Sequence, residues 1–267
     1  MSTFTGNVIA ITGASEGIGR AFCLAVAPQG PTLVVAARNA ARLESLKTEA
    51  EALGAQVTAV PTDVTSEADC KRFIEAAITT HGKLDTLINN AGGTMWSRFE
   101  ELADLEVFEH LMRTNYLSAV YCTRHALPHL RAARGRLVGV SSVAGLSGVP
   151  CRTAYSASKH AMFGFFDSLR IELEGSGVSV TMIAPDFVLS EIHKRAIGPD
   201  GKPLGESPMQ VRKIMTAATC AELMIDAIGQ RKRLLVTSRR GRVARWMKLI
   251  APGMVDRIAR KAIEEKK

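Results

Sequence analysis

The sequence contains no segment typical of an exported or membrane-spanning protein. Its N-terminus lacks the basic start and the apolar stretch that a signal peptide needs. No apolar run reaches the roughly 18 residues that a transmembrane helix requires. The five cysteines are widely spaced, odd in number and without a Cys-x-x-Cys pair, which argues against a disulfide framework and a cysteine zinc site. We therefore expect free thiols and a reducing compartment, the cytoplasm.

Candidate metal ligands are also scarce. His125 and His129 are four residues apart, as a metal-binding pair on a helix would be, but Pro128 lies between them. No acidic residue stands nearby as a third ligand. We therefore expect no metal site.

The formal net charge of +8 arises in the C-terminal segment. Residues 231–267 hold thirteen Lys and Arg and three Asp and Glu, a net of +10, so the remaining residues sum to −2. Trp246, Leu249 and Ile250 are interspersed with these cations, and the pattern predicts a basic amphipathic extension. Such a segment fits an anionic membrane surface, a lid over a lipid-like substrate, or packing on the body or a neighbouring subunit. Nucleic acid is disfavoured because no recognised binding module accompanies the charge.

Apolar, β-branched runs of strand length alternate with stretches of helix length along most of the chain. This alternation predicts βαβ units, and the continuous apolar strands indicate a parallel sheet with helices on both faces. We predict one Rossmann-type α/β domain, 1–230, with about seven strands, followed by the extension 231–267. Segment 187–216 is rich in Gly and Pro, which is typical of a substrate-covering loop. The predicted strands are 8–12, 32–36, 56–60, 85–89, 135–140, 179–184 and 233–236, and the main predicted helices are 17–27, 40–53, 66–81, 105–130 and 153–174.

A glycine-rich turn joins the first predicted strand to the first predicted helix. Gly13, Gly17 and Gly19 allow a tight turn and let backbone N–H groups approach a diphosphate at the helix N-terminus. An NAD site needs a carboxylate near the end of the second strand, where this sequence has Arg38, with Arg42 one turn further on. A guanidinium matches a 2′-phosphate in charge and in donor geometry. This position therefore predicts a preference for NADP.

Further polar and small residues follow the third and fourth predicted strands. Asp63 can accept a hydrogen bond from an adenine amino group, and Val64 can flank the ring. Asn90, Ala91 and Gly92 let a cofactor pass close to the backbone. Ligands bind beyond the carboxyl ends of the strands in open α/β sheets, so we expect these residues to share one site.

A second group of reactive residues lies between Ser142 and Lys159. Tyr155 and Lys159 are four residues apart and share one helix face, a spacing that an ordinary surface helix also shows. A nearby ammonium favours the phenolate form of a tyrosine and makes the phenol a better proton donor. Ser142 follows the strand-like run 137–140 and can hydrogen-bond a carbonyl oxygen in the same pocket. The segment therefore predicts a general acid, the residue that tunes it and an oxyanion donor.

Together these positions resemble the short-chain dehydrogenase/reductase family of the Tyr-x-x-x-Lys type, over about residues 6–190. The resemblance rests on Thr12 to Gly19, Asp63-Val64, Asn89 to Gly92, Asn115, Ser142, Tyr155 and Lys159. It implies that Tyr155 exchanges a proton with the substrate oxygen, while Lys159 binds the nicotinamide ribose and favours the phenolate. It also implies that Ser142 hydrogen-bonds the substrate oxygen. Asn115 would bend its helix locally and hold a water that links Lys159 to solvent.

The same resemblance implies a nicotinamide dinucleotide site at the carboxyl edge of the sheet. Its expected members, besides Tyr155 and Lys159, are Gly13, Ser15, Glu16, Gly17, Ile18, Gly19, Arg38, Asp63, Val64, Asn90, Ala91, Gly92, Pro185, Val188 and Ser190. After the sixth strand the family usually has Pro-Gly and a later Thr, whereas this sequence has Asp186 and Ser190. Ser190 can still hydrogen-bond the nicotinamide amide or a phosphate, and Asp186 adds a negative charge near the nicotinamide pocket.

The resemblance implies an NADP(H)-dependent oxidoreductase that interconverts a carbonyl group and an alcohol by hydride transfer. Trp96 and the basic extension favour an apolar or lipid-like substrate. We expect a homodimer or homotetramer, formed through the apolar helix that follows Lys159, in the cytoplasm or at the inner face of a membrane. Two alternatives are an NAD-dependent alcohol dehydrogenase of the same fold and a dinucleotide-binding, membrane-associated protein with little turnover.

Overall fold

The computed structural model describes residues 3–208 and 214–264, and a parallel sheet of seven strands lies at its centre. The strands are β1 (Val8–Thr12), β2 (Thr32–Ala37), β3 (Gln56–Pro61), β4 (Thr86–Asn89), β5 (Arg136–Val140), β6 (Ser179–Ala184) and β7 (Leu234–Val236). Their order in the sheet is β3-β2-β1-β4-β5-β6-β7, so the direction of winding reverses between β1 and β4. Ligands of open α/β sheets bind at this switch point. The predicted Rossmann-type sheet is thereby confirmed.

Helices cover both faces of the sheet. They are α1 (Gly17–Val26), α2 (Ala40–Ala52), α3 (Glu67–His81), α4 (Glu106–Met112), α5 (Ser118–Ala132), α6 (Thr153–Glu172), α7 (Ala217–Gly229), α8 (Arg239–Ile250) and α9 (Pro252–Glu264). Phe22 of α1 and Met224 of α7 lie in the core on one face, and Phe73 of α3 and Phe166 of α6 lie in the core on the other. Burial of each such side chain contributes about 1.5–3 kcal/mol. Two covered faces explain why the strands are continuous apolar runs.

The ends of α3 show how the local sequence sets the elements. Ser66 caps its N-terminus by accepting a hydrogen bond from the backbone N–H of Asp69 at 3.3 Å. Gly82 ends the helix with a φ of +74°, a conformation that costs glycine little. Similar capping by Thr216 begins α7.

The helical path from α4 to α5 contains a π-helical turn, Arg113–Leu117. Asn115 lies in this turn and is fully buried. A π turn inserts one extra residue into a helix and often occurs at functional sites. The long predicted helix therefore departs from α-helical geometry at the residue that was expected to bend it.

The sheet reaches past residue 230, where we placed the end of the Rossmann-type domain. The apolar run of β7 pairs in parallel with β6 and completes the edge of the sheet. The basic extension therefore begins after Val236, and its described part consists of α8 and α9. None of the described helices combines the length and apolar composition needed to cross a membrane.

The predicted covering loop, 187–216, is tied to the body at several points of its described part. An isolated bridge joins Val188 to Met215, and another joins Ile197 to Met95. The backbone N–H of Ile197 also donates to the carbonyl oxygen of Thr94 at 3.0 Å. These contacts place the loop beside the segment that follows β4, at the carboxyl edge of the sheet.

Candidate active site

A cavity of about 840 Å³ lies at the carboxyl ends of the strands. Every predicted catalytic or cofactor-binding residue except Gly19 and Asn115 lines it. Those that do are Gly13, Ser15, Glu16, Gly17, Ile18, Arg38, Asp63, Val64, Asn90, Ala91, Gly92, Ser142, Tyr155, Lys159, Pro185, Val188 and Ser190. The fold thus brings the glycine turn and the second reactive segment into one site of the size expected for a ligand pocket.

The turn before α1 and the first turn of that helix leave no room for side chains at Gly13 and Gly19. A Cβ atom on Gly13, whose φ is +68°, would lie 2.8 Å from the Cα atom of Ala91. A Cβ atom on Gly19 would lie 2.4 Å from the carbonyl oxygen of Gly13. The side-chain amide of Asn90 donates to the carbonyl oxygens of Thr12 and Gly13 at 2.9 and 3.1 Å. This bare, fixed backbone at a helix N-terminus fits a dinucleotide diphosphate.

The two arginines after β2 differ in their partners. Arg38 is exposed on the cavity wall and has no ion pair within the described residues. Arg42 forms an ion pair with Glu16, which Arg195 also contacts. The guanidinium of Arg38 is therefore available to a ligand, whereas that of Arg42 is engaged with an acid of the glycine turn.

Asp63 also lies on the cavity wall. Its carboxylate accepts hydrogen bonds from the backbone N–H and the hydroxyl of Thr65, at 3.0 and 2.8 Å. These two bonds hold the carboxylate beside Val64, the neighbour expected to flank an adenine ring.

Tyr155 and Lys159 occupy the first two turns of α6 and are both buried. The ammonium of Lys159 donates to the carbonyl oxygen of Val140 at 3.0 Å and lies 3.6 Å from the sulfur of Met162. It also lies 5.9 Å from the centre of the Tyr155 ring. An ammonium has three donors, so a third remains for a ribose hydroxyl. Burial lowers the pKa of Lys159 from 10.5 to about 7, because apolar surroundings disfavour the charged form.

Ser142 follows the end of β5 and is only loosely held. Its hydroxyl donates to the carbonyl oxygen of Pro185 at 3.4 Å, which is long for an O–H donor. Its oxygen accepts from the backbone N–H of Ala144 at 3.1 Å. A hydroxyl with such a weak acceptor can turn toward a substrate oxygen at little cost.

Asn115 lies behind the cavity wall rather than in it. Its side-chain oxygen accepts from the backbone N–H of Gly93 at 2.7 Å, and its amide donates to the hydroxyl of Ser158 at 2.8 Å. A Cβ atom on Gly92 would lie 2.9 Å from that oxygen and 3.4 Å from the ammonium of Lys159. Asn115 therefore joins the segment after β4 to α6 directly beside Lys159.

Asp186 lies on the cavity wall, and the negative charge that the sequence predicted near the nicotinamide pocket is paired rather than free. Its carboxylate accepts hydrogen bonds from the hydroxyl of Ser238 at 2.6 Å and from the guanidinium of Arg240, with Nη2 at 2.8 Å. Burial alone would raise the pKa of Asp186, but the hydrogen bonds from Arg240 and Ser238 outweigh it and hold the pKa below its ordinary value. The carboxylate anchors the start of α8.

The two helices of the extension form part of the cavity wall. They contribute Arg240, Gly241, Val243, Ala244, Met247, Met254, Val255, Ile258 and Ala259. A Cβ atom on Gly241 would lie 2.8 Å from a side-chain carbon of Val143, so α8 touches the loop after β5. The extension thus packs on the body and covers the site, two of the arrangements that the sequence left open.

Arg152, which directly precedes α6, is a cavity residue that sequence analysis did not single out. Its side chain is buried, and its guanidinium carbon lies 5.6 Å from the centre of the Tyr155 ring. The signal that identifies it is a single cation in the otherwise uncharged segment 143–152.

We expect Asp186→Gly and Asp186→Asn to leave NADPH affinity within about tenfold of wild type and to raise KM for the carbonyl substrate roughly tenfold. Both changes release Arg240 and loosen α8, which lines the cavity, whereas the glycine turn is untouched. Fluorescence titration of NADPH and steady-state kinetics measure the two effects. Because Asp186 and Arg240 act as one pair, Arg240→Leu should have a similar effect and the double variant little more. Loss of NADPH binding would show that Asp186 acts on the cofactor.

Comparison with known proteins points to the same family that the site residues resemble. A family model described as short chain dehydrogenase matches residues 7–198. The 11-beta-hydroxysteroid dehydrogenase-like 4A of Arabidopsis thaliana is 36% identical over 251 residues, which cover 94% of this chain and 82% of that protein. The 11-beta-hydroxysteroid dehydrogenase 1A of the same plant is 33% identical over 258 residues, covering 94% and 74%.

Two solved structures are similar over most of their length. A short chain dehydrogenase/reductase from Burkholderia phymatum, in complex with NAD, is 26% identical with a TM-score of 0.83, over 95% of this chain and 96% of that one. An alcohol dehydrogenase from the archaeon Thermococcus sibiricus, complexed with 5-hydroxy-NADP, is 24% identical with a TM-score of 0.76, over 86% and 95%. The second likeness supports the fold alone.

Proposed function

The chain belongs to the short-chain dehydrogenase family, and from this premise we propose that it is an NADP(H)-dependent oxidoreductase that interconverts a carbonyl group and an alcohol on an apolar substrate. As a member of this family it is an oxidoreductase with a nucleotide-binding Rossmann fold. One observation carries the proposal further. Ser142, Tyr155 and Lys159 line the same cavity as the bare glycine turn, so a proton donor and a diphosphate site share one pocket.

The proposed chemistry divides the work between the cofactor and three side chains. NADPH, when bound, supplies the hydride. Tyr155 gives a proton to the carbonyl oxygen during reduction and takes it back during oxidation. Ser142 hydrogen-bonds the same oxygen as negative charge develops on it. Lys159 holds the ribose and keeps a positive charge near the phenol.

The proposed preference for NADP over NAD rests on Arg38. Its guanidinium lies on the cavity wall after β2 and has no acid partner in the described part of the chain. No Asp or Glu occupies the end of β2, where a ribose 2′-hydroxyl would need an acceptor. A 2′-phosphate would supply the anion that Arg38 lacks.

We expect Arg38→Ala to weaken NADPH binding by roughly 10- to 100-fold and to leave NADH binding within about threefold, because only NADPH loses a charged hydrogen bond. Fluorescence titration with each cofactor measures the difference. Arg42→Ala is the comparison, and it should affect both cofactors alike because Arg42 is engaged with Glu16. Equal weakening of NADPH and NADH by Arg38→Ala would exclude a 2′-phosphate contact.

The proposed apolar substrate is supported by apolar side chains on the cavity wall. Val149, Ile197, Met247 and Ile258 line the cavity, and the last two come from the extension. The related plant proteins are named as hydroxysteroid dehydrogenases, which fits an apolar alcohol or ketone as substrate. Covering helices exclude water from the reacting atoms and so strengthen the electrostatic contacts.

We further propose that the extension holds the enzyme at the cytoplasmic face of an anionic membrane. Trp246, Leu249 and Ile250 of α8 are 62%, 76% and 80% exposed, and cations of the same helix accompany them. An apolar helix surface flanked by cations binds at the boundary of headgroups and acyl chains. The five cysteines, all within the described part of the chain, form no disulfide bond, in keeping with a reducing compartment.

Substitution of the exposed face tests the membrane proposal without removing the cavity wall. We expect Leu249→Ser/Ile250→Ser to lower the partition coefficient onto vesicles that contain phosphatidylserine by roughly 30- to 900-fold, because the two lost apolar side chains together weaken insertion by about 2–4 kcal/mol. Activity on a water-soluble ketone should stay unchanged. Equal cosedimentation of wild type and variant would exclude a membrane role for this face.

Finally, we propose that the chain forms a homo-oligomer, because α6 has apolar residues beyond those that are buried in the core. Met162 and Phe166 are buried in the core, whereas Ile171 is 69% exposed at the end of the helix. Helices of this kind pack against their copy across a two-fold axis. Sedimentation velocity of wild type and Ile171→Glu measures the oligomeric state and the role of this face.

NADPH consumption with a panel of ketones and aldehydes tests the proposed activity. The wild type should oxidise NADPH with apolar members of the panel, and Tyr155→Phe should not. The second candidate, a dinucleotide-binding membrane protein with little turnover, is favoured by the exposed apolar face of α8. It would be supported if the wild type bound NADPH and vesicles but consumed no NADPH with any carbonyl compound.

A further inference from the structure

Arg152 is a buried cation without an acidic partner. Its side chain is 5% exposed, and its Nε and Nη2 atoms are buried without a hydrogen-bond partner among the described residues. No ion pair joins it to an acid in residues 3–208 or 214–264. Burial lowers the pKa of Arg152 below its ordinary value, which marks an unfavourable place for an unpaired charge. Buried donors of this kind are normally satisfied, so a native exception calls for a partner.

Three aromatic rings surround the guanidinium. Its central carbon lies 4.9 Å from the ring centre of Trp96, 5.6 Å from that of Tyr155 and 5.3 Å from that of Phe187. Ring faces attract a cation, but they do not replace the acceptors that in-plane N–H groups need. The rings therefore hold the guanidinium in position and leave its N–H edge for a different group.

Two other cations of the cavity wall already have hydrogen-bond partners. Arg240 also lies over the ring of Phe187, at 5.4 Å, but Asp186 neutralises it. The ammonium of Lys159 donates to the carbonyl oxygen of Val140. Arg152 is thus a cation beside the proposed proton donor whose charge no described acid offsets.

The backbone around Arg152 is fixed in an unusual conformation. Cys151 has a φ of +62°, which residues with a side chain rarely adopt. Its carbonyl oxygen accepts from the backbone N–H of Ser97, and the carbonyl oxygen of Arg152 accepts from that of Ser156 at 2.8 Å. Backbone strain of this kind clusters at functional sites, and here it directly precedes a cavity residue.

We propose that Arg152 binds a carboxylate of the substrate, so that the enzyme acts on apolar keto acids and hydroxy acids. The forked donors of a guanidinium match the two oxygens of a carboxylate. Arg152 precedes Tyr155 by three residues, so the carboxylate would sit close to the reacting carbonyl group. The apolar remainder of the substrate would extend along the wall formed by α8 and α9. This inference rests on the proposed reductase activity and names its substrate class.

Matched acid and ester probes test the inference. The reactive pair is 4-oxo-4-phenylbutanoate and its methyl ester, which differ in charge at one end. We expect the wild type to prefer the acid in kcat/KM by roughly 10- to 100-fold, the range of one charged hydrogen-bond pair. Arg152→Met should abolish this preference and leave the ester within about threefold. Arg152→Lys should keep part of the preference, because it retains the charge without the fork.

A non-reactive pair separates this inference from the proposed activity. Calorimetry measures how 4-phenylbutanoate and its methyl ester bind to the enzyme loaded with NADP+. Acid-selective binding that Arg152→Met abolishes supports the carboxylate site even if no ketone is reduced. Arg131, exposed on α5, supplies the control Arg131→Met, which should behave as wild type.

Two results would overturn the inference. One is a wild type that does not distinguish acid from ester in either assay. The other is an Arg152→Met variant that folds with an unchanged melting temperature but loses activity on acid and ester equally. That result would mean that Arg152 positions Tyr155 and does not bind the substrate.

Discussion

Tyr155→Phe should lower kcat for carbonyl reduction by about 10²- to 10⁴-fold, the usual contribution of a positioned general acid. The phenylalanine ring keeps the contacts of the tyrosine ring with Arg152 and Lys159, because those contacts involve the ring and not the hydroxyl. Cofactor binding and the melting temperature should therefore change little. Steady-state kinetics, NADPH titration and thermal unfolding measure the three quantities.

The control for this variant is Tyr121→Phe. Tyr121 lies on α5 at the edge of the core, outside the cavity wall. The same loss of a hydroxyl there should leave kcat within about twofold, since a residue outside the site contributes no proton. If Tyr155→Phe also retained most of its activity, the proton donor would have to be another group.

Lys159→Met should abolish most activity and yet stabilise the fold. Activity should fall by roughly 10³-fold, because the variant loses both the charge near the phenol and the ribose contact. Burial lowers the pKa of Lys159 from 10.5 to about 7, which corresponds to several kcal/mol at about 1.4 kcal/mol per pKa unit. A methionine of similar length avoids this cost and loses one hydrogen bond to Val140, which is worth about 1 kcal/mol.

The stability gain should depend on pH in a definite direction. Between about pH 7 and pH 10.5 the unfolded lysine binds a proton that the folded lysine has released. Stability of the wild type therefore rises with pH across this window. The stability of the methionine variant lacks this pH dependence. Its gain in stability over wild type should therefore be largest at and below pH 7 and should disappear near pH 10.5. The exposed residue Lys71 supplies the control Lys71→Met, for which no advantage is expected.

Urea unfolding of both variants at several pH values measures this effect. A Lys159→Met variant that is less stable than wild type at pH 7 would mean that the ammonium is well solvated or paired in the folded protein. A stability gain that stays constant from pH 7 to 10 would mean that the gain comes from packing and not from the charge.

The fold and most of the site could be predicted because their determinants are local. Short segments of sequence determine the strand-length apolar runs and the helix ends. Parallel strands then bring their carboxyl ends to one edge of the sheet. Asp63, Asn90 and Ser142 come just after predicted strands, and they line one cavity. Their proximity could therefore be predicted without knowledge of distant contacts.

The features that sequence analysis did not supply depend on contacts between distant parts of the chain. Asp186 is neutralised by Arg240, which lies 54 residues later. Arg152 is held by Trp96 and Phe187, neither of which is its neighbour in sequence. The boundary at residue 230 was placed by charge, but the three-residue strand β7 joins the sheet through pairing with β6. Charge and composition alone do not report such pairings.

Transfer of deuterium from NADPH deuterated at nicotinamide C4 tests the central claim most directly. The ketone that is reduced fastest in the panel is incubated with wild type or Tyr155→Phe, and the alcohol is analysed by mass spectrometry. The account predicts one deuterium on the carbinol carbon of the wild-type product and at most about 1% of that product with Tyr155→Phe. Wild-type oxidation of NADPH without label in an alcohol, or equal product from both enzymes, would contradict it.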